Sequence, residues 1–272
     1  MKVANRAYLY SLDNCPTSYA DRPDTITGLS EWAYDVPFIY RVLMSGDPKL
    51  CASLISDGFM DEDPSHKTAL HAISSTFDSG FQRVNRLIGI MRILATMPPS
   101  PPPALSAPQT SGLMAWVRNA LGQNKQGRAA EPVTEAPGIL NFLSLLDETS
   151  SFLAAHRNTH LLLETIELDC MSTEDEAELR ELVTQEVARC LQAGVAVDAL
   201  PSDPTAAALL LQQASRQKMD APLDAFFGLR FDDHCDSTRN GATEHPVGLA
   251  WSDVLYFTLQ NRTAFETLQH QE

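Results

Sequence analysis

The sequence contains no Cys-x-x-Cys pair, no G-x-G-x-x-G, no Walker lysine loop, no G-x-S-x-G elbow and no H-E-x-x-H. These absences argue against the common nucleotide-binding, serine-hydrolase and zinc-protease chemistries, each of which needs its residue types at that spacing. The five cysteines (Cys15, Cys51, Cys170, Cys190, Cys235) are odd in number and scattered, so they read as neither a disulfide framework nor a zinc ligand set. Basic residues are scarce: 20 Lys and Arg face 35 Asp and Glu, for a formal net charge of −15. Such a chain repels phosphates and anionic lipid, so neither nucleic acid nor a membrane is expected as partner. A basic protein would be attracted at long range, although the same charge also serves plain solubility. Long apolar runs are missing too. The opening MKVANRAYLYSLDNC is broken by Arg6 and Asp13, and no stretch approaches the roughly 18 apolar residues of a spanning helix. The expectation is a cytoplasmic protein in a reducing compartment.

With 272 residues, 44% of them hydrophobic, the chain can build a sizeable core. Residues 4–12 alternate as a first strand, and the turn residues that follow make 15–30 a long loop. Pro37 opens a short apolar helix, PFIYRVLMSG, and residues 48–55 read as another. Residues 68–74 read as a short strand. Over 77–97, Phe81, Val84, Leu87, Ile88, Met91 and Leu94 recur at three-and-four spacing and predict a helix. Six prolines fall within residues 98–108, and 98–137 reads as a linker carrying one short amphipathic segment, GLMAWVRNALG. Beyond it the spacing predicts a helix over 139–156 and a strand over 160–168. Another helix is capped at Ser172 and Thr173, and a further one starts at Asp203-Pro204. An extended run over 223–231 and a helix from Ser252 complete the chain. Together these give an α+β fold, helix-rich with a small, mostly antiparallel sheet. Its organisation is an N-terminal half (1–97), the linker (98–137) and a C-terminal half (138–272) sharing one core with the first.

The densest aromatic and acidic stretch is PLDAFFGLRFDDHCDSTRNGATEHPVGLAW. Asp232, Asp233, His234 and Asp236, with Glu244 and His245 beyond a turn, could ligate a divalent cation, dock a protein, or serve only the turn's own backbone. The spacing does not fit an EF-hand, and no cofactor or catalytic residue is assigned. Glu164 and Glu167 are three apart on the expected strand and would face opposite ways, which weakens them as a carboxylate pair. Glu174, Glu176 and Glu178 crowd a helix start, where they complement the dipole or form a negative docking face. Trp32, Tyr34, Phe38 and Tyr40 make core or line a pocket.

The motifs NRAYLYSL, GLSEWAYDVPF and LDAFFGLRFDDHCDSTR resemble an uncharacterised family of bacterial cytosolic proteins that includes immunity proteins of type VI-secreted antibacterial toxins, nuclease toxins among them. The resemblance touches both ends of the chain and skips the linker. It implies a stoichiometric inhibitor, not an enzyme, that occludes a cognate basic toxin. Carboxylates occupying phosphate positions around an aromatic anchor suit that role. The expected interface is Phe231, Asp232, Asp233, Asp236, Glu244 and Trp251, with Glu174, Glu176 and Glu178 as a second patch. A metal-dependent enzyme using Asp232, Asp233 and His234, or an adaptor docking through the segment around Trp116, is the alternative. The sequence leaves the oligomeric state open.

Overall fold

Three consecutive leucines flanked by His160 and Glu164 make the central strand. A run apolar at successive positions suits a strand buried on both faces, and Leu161, Leu162, Leu163 and Glu164 are all fully buried. The computed structural model of the chain describes residues 5–59, 67–97, 137–231 and 245–270. In it β1 (Arg6–Leu12), β2 (Ile26–Ala33), β3 (Lys49–Ala52), β4 (His71–Thr76) and β5 (His160–Glu164) form a five-stranded sheet in the order β2-β1-β5-β4-β3. Every pairing in it is antiparallel. The fold is thus α+β with a small antiparallel sheet. Strand β5, from beyond residues 98–136, lies between β1 and β4, so segments from both sides of that stretch build one sheet.

The helices are α1 (Phe38–Met44), α2 (Phe77–Thr96), α3 (Pro137–Ala155), α4 (Ile166–Asp169), α5 (Glu176–Ala199), α6 (Pro204–Arg216) and α7 (Arg262–Gln269). Period-two alternation gives the sheet two apolar faces. Ala7, Leu9, Ile73, Leu161 and Leu163 point into the larger core with α1, α2, α5 and α6. Tyr8, Tyr10, Leu12, Ala72 and Leu162 form a smaller core with Leu54, Leu255 and Leu259. In the larger core α1 and α2 approach so closely that a Cβ on Gly80 would lie 1.6 Å from the Leu43 carbonyl oxygen. Glu186, 4% exposed on α5, receives Arg41 Nε at 2.6 Å, Arg41 Nη2 at 3.2 Å and Arg189 Nη1 at 2.9 Å.

Six expectations need correction. Residues 48–55 hold strand β3 rather than a helix, because Leu50 and Cys51 pair with Ile73 and Ala72. The expected 15–30 loop ends earlier, since Ile26 already pairs with Leu12. The 160–168 strand stops at Glu164, and Ile166–Asp169 turns helical. Residues 223–231 are a 3₁₀ turn (Leu223–Phe226) and a two-residue strand, β6 (Leu229–Arg230), paired with β7 (His245–Pro246). The helix expected from Ser252 begins only after Asn261, whose side chain accepts from the Ala264 amide. Between them the chain lies against β2, with the Ser252 amide 3.0 Å from the Leu29 carbonyl oxygen. Leu255 and Leu259 still point inward, but Val254 is 81% exposed. The α5 cap also moves: Asp175, not Ser172 or Thr173, accepts from the Glu178 amide at 3.0 Å, while Thr173 braces Asp175 and Glu178. The linker up to residue 136, GLMAWVRNALG included, lies outside the described residues.

Candidate functional site

The residues read as the principal interface separate into three groups. Asp232, Asp233, Asp236 and Glu244, with His234, lie outside the described residues. Phe231 and Trp251 are half-buried and pack on the larger core. Trp251 donates its indole N–H to Thr149 Oγ1 at 2.8 Å and meets the rings of Tyr40 and Phe152 at 6.1 Å each, so it fastens α3 to the body of the fold. Glu174, Glu176 and Glu178 are exposed at the start of α5, alongside Asp175 and Glu181. Glu176 also accepts from the Ala69 amide at 3.3 Å, and Glu178 from Thr173 Oγ1 at 2.5 Å.

Large exposed side chains gather instead where β2 ends and the 250–257 segment crosses it. Tyr34 is 60% exposed, Tyr256 64% and Val254 81%. Tyr34 has a left-handed backbone, φ 65°, which costs a residue with a Cβ roughly 1–2 kcal/mol and favours glycine or asparagine. The strain is held by the Tyr34 amide bonding the Asn5 carbonyl oxygen at 2.9 Å. Glu31 fixes the second aromatic: one carboxylate oxygen accepts from the Tyr256 amide at 2.5 Å, and the other pairs with Arg6 Nε at 3.2 Å. The Arg6 guanidinium lies over the Tyr256 ring, 4.9 Å from its centroid. Beside them is a cleft of about 190 Å³, lined by Tyr10, Ile26, Thr27, Gly28, Leu255 and Phe257 with exposed Asp253 on its wall. Gly28 makes the close approach possible, since a Cβ there would stand 2.8 Å from the Asp253 carbonyl oxygen. A slot of mixed polar and apolar lining with Asp253 on its wall suits the stem and head of a lysine or arginine.

The smaller core hides a polar knot that sequence reading treated only in passing. Glu164 accepts from Ser53 Oγ at 2.8 Å and from the Leu54 amide at 2.7 Å. Arg22, 3% exposed, donates to the Leu54 carbonyl oxygen at 2.8 Å and lies against the rings of Tyr19 and Phe265, 4.2 and 4.5 Å from their centroids. Burial pushes the Glu164 carboxyl up to about 7, because desolvation outweighs the two hydrogen bonds and the attraction of Arg22. Glu167 does not oppose Glu164 as expected. The turn into α4 brings it back over the same face, where it accepts from Tyr8 Oη at 2.9 Å and from the Arg6 amide at 3.0 Å. Each carboxylate has its own donors, and this core reads as an anchoring network. The signal for Glu164 was available: an acid ending a run of three leucines must find buried partners. Arg22 has one local partner, the Tyr19 ring, but its hydrogen-bond acceptor Leu54 is 32 residues away and nothing local announces it.

Among the described residues no group of three or more His, Cys, Asp or Glu side chains could hold a metal ion, and no helix is long and apolar enough to cross a membrane. No curated protein and no solved structure matches this chain. A family model described as a domain of unknown function, DUF7822, matches residues 13–129. That segment contains β2, β3, β4, α1 and α2 but neither β1 nor β5, the two strands that lie between β2 and β4.

Proposed function

We propose that this chain is a stoichiometric binding protein that docks a basic protein partner, acting as an immunity protein that occludes a cognate toxin, with a basic nuclease domain as the target class. The observation that carries the reading is the Tyr34–Val254–Tyr256 edge. It puts exposed Val254 and Tyr256 on the segment that walls a slot bearing Asp253, with exposed Tyr34 just past the end of β2. Tyrosines held rigid lose little entropy on association and form the usual anchors of tight interfaces, with carboxylates supplying the rim. The net charge of −15 would speed encounter with a cationic surface, more so at low salt. Glu174, Glu176 and Glu178 add a second acidic face on α5, and Asp232, Asp233, Asp236 and Glu244 add charge of the same sign between β6 and β7. Phe231 and Trp251, half-buried against the larger core, keep part of their rings open to a partner. Occlusion requires no reaction of the chain itself, which agrees with the internal commitment of Glu164 and Glu167.

The test is affinity purification of tagged full-length protein from the organism that encodes it, with the recovered partner then titrated against variants. A single basic partner should bind one to one. Tyr34→Ala with Tyr256→Ala should weaken it at least about tenfold through faster dissociation, and Asp253→Lys should slow association. A partner that binds the Tyr34→Ala/Tyr256→Ala/Asp253→Lys protein as tightly as the parent would overturn this surface. Recovery of no stoichiometric partner would overturn the inhibitor reading.

A further inference from the structure

The open end of the smaller core brings four chemistry-bearing side chains together from four separate segments. Cys15 follows β1, Cys51 lies on β3, Ser74 on β4 and His160 opens β5. Register puts Cys51 opposite Ala72 and Ser74 opposite Leu162, so both point to the same sheet face as the smaller core. Cys15 Sγ stands 3.1 Å from Ser74 Oγ, and Cys51, two residues after the Lys49 that pairs with Ser74, is the diagonal neighbour of that serine on the same face. Both cysteines are half-buried rather than sealed, and both are free thiols.

We propose that Cys15 and Cys51 form a peroxide-sensitive dithiol, with Cys15 as the sulfur that is oxidised and Cys51 as the thiol that resolves it. In the first step the Cys15 thiolate attacks one oxygen of hydrogen peroxide. An S–O bond forms, the O–O bond breaks and the departing hydroxide is protonated to water. Cys15 loses two electrons and becomes the sulfenic acid, while the peroxide is reduced. In the second step the Cys51 sulfur attacks the Cys15 sulfur. The S–S bond forms as the S–O bond breaks, and the released hydroxide takes up the Cys51 proton as a second water. The balance is two thiols and one peroxide to one disulfide and two waters.

The surroundings favour this division of roles. The hydrogen bond from Cys51, with help from the Ser74 hydroxyl and His160, holds the Cys15 thiol down at about 6, against burial and the charge of Asp21. Lys49 also faces it, and Glu164 faces Cys51. Cys51 is pushed the opposite way, first by its bond to the Cys15 thiolate and then by burial, so it stays a protonated donor until Cys15 is oxidised. Oxidation removes the leading cause and frees Cys51 to attack. Cys170, which burial pushes up, has no such neighbours.

The experiment treats the full-length reduced protein with hydrogen peroxide, blocks the remaining thiols and maps the unreduced peptides by mass spectrometry. A Cys15–Cys51 disulfide, two hydrogens lighter than the reduced pair, is expected before any change at Cys170, Cys190 or Cys235. In Cys51→Ser a sulfenic acid should persist on Cys15 and be trapped by dimedone. Iodoacetamide at about pH 7 should label Cys15 on the order of tenfold faster than Cys170. Five intact thiols after peroxide, or first oxidation elsewhere, overturns the proposal. If Cys51→Ser fails to give a cooperative melt, the parent's disulfide map alone decides.

Discussion

Replacing Glu164 by glutamine isolates what the buried charge costs. In an unfolded chain this carboxyl titrates at about 4.5, whereas in the folded core it is pushed up to about 7. Between those values the folded state holds more protons than the unfolded one, so the contribution of Glu164 is largest at low pH and is lost as pH rises through 7. At 1.36 kcal/mol per unit the whole effect is about 3 kcal/mol, of which about 2 falls between pH 5.5 and pH 8.5. Glutamine keeps an acceptor for the Leu54 amide and can donate to the Ser53 hydroxyl, but it never ionises. Its stability relative to the parent should therefore improve by about 2 kcal/mol over that interval. With a slope near 2 kcal/mol per molar urea, the midpoint moves by about 1 M in its favour. Urea unfolding followed by circular dichroism at both pH values measures this directly. Glu164→Ala is the control: it leaves the Leu54 amide without its acceptor and should lose about 2 kcal/mol or more at both. Parallel pH profiles for the parent and Glu164→Gln would refute the argument and show that Arg22 keeps the carboxylate charged in the folded state.

Three further outcomes follow from the packing. Gly80→Ala puts a methyl 1.6 Å from the Leu43 carbonyl oxygen, so α1 and α2 must separate; a loss of about 2 kcal/mol or more is expected in denaturant titration. Glu186→Ala leaves Arg41, whose side chain is 16% exposed, with only the looser Asp35 pair at 3.6 Å, and should lose about 3 kcal/mol, with Glu186→Gln recovering part of it. Residues 13–129 expressed alone lack β1 and β5 and should show no cooperative thermal transition by circular dichroism; a sharp one would mean that the matched segment folds by itself.

Elements governed by their own residues were legible in the sequence. The stripe Val84, Leu87, Ile88 and Met91 fixed α2, and Asp203 with Pro204 started α6, because helical spacing and capping are local. Pairing partners were not. Residues 48–55 carry too few apolar positions to tell a helix from an edge strand, and only β4 beside Leu50 and Cys51 decides. The 252–261 stretch shows helical spacing at Leu255 and Leu259, yet hydrogen bonds to β2 hold it extended. For the site, composition pointed to acid and aromatics but singled out Trp251, whose indole N–H turned out to be committed to Thr149. Tyr256 and Glu31 are 225 residues apart in sequence; only the crossing of the C-terminal segment over β2 brings the Tyr256 amide onto that carboxylate. Cys15 and Cys51, read as scattered, meet because β1 and β3 are joined through β5 and β4 in one sheet.

The position of β5 also bears on how the chain is made. Leu9 can pair with Ser30 of β2 early, but it finds its β5 partner only when Leu163 exists. At translation speeds of about 5–20 residues per second the ribosome needs roughly 10–30 s to supply it. For that interval β1, and β4 once it has been made, present open ladder edges toward a gap one strand wide. Those edges favour any passing strand until the three leucines arrive. The sheet therefore closes late and from its middle, and the nascent N-terminal half is the form of this protein with most reason to meet a chaperone.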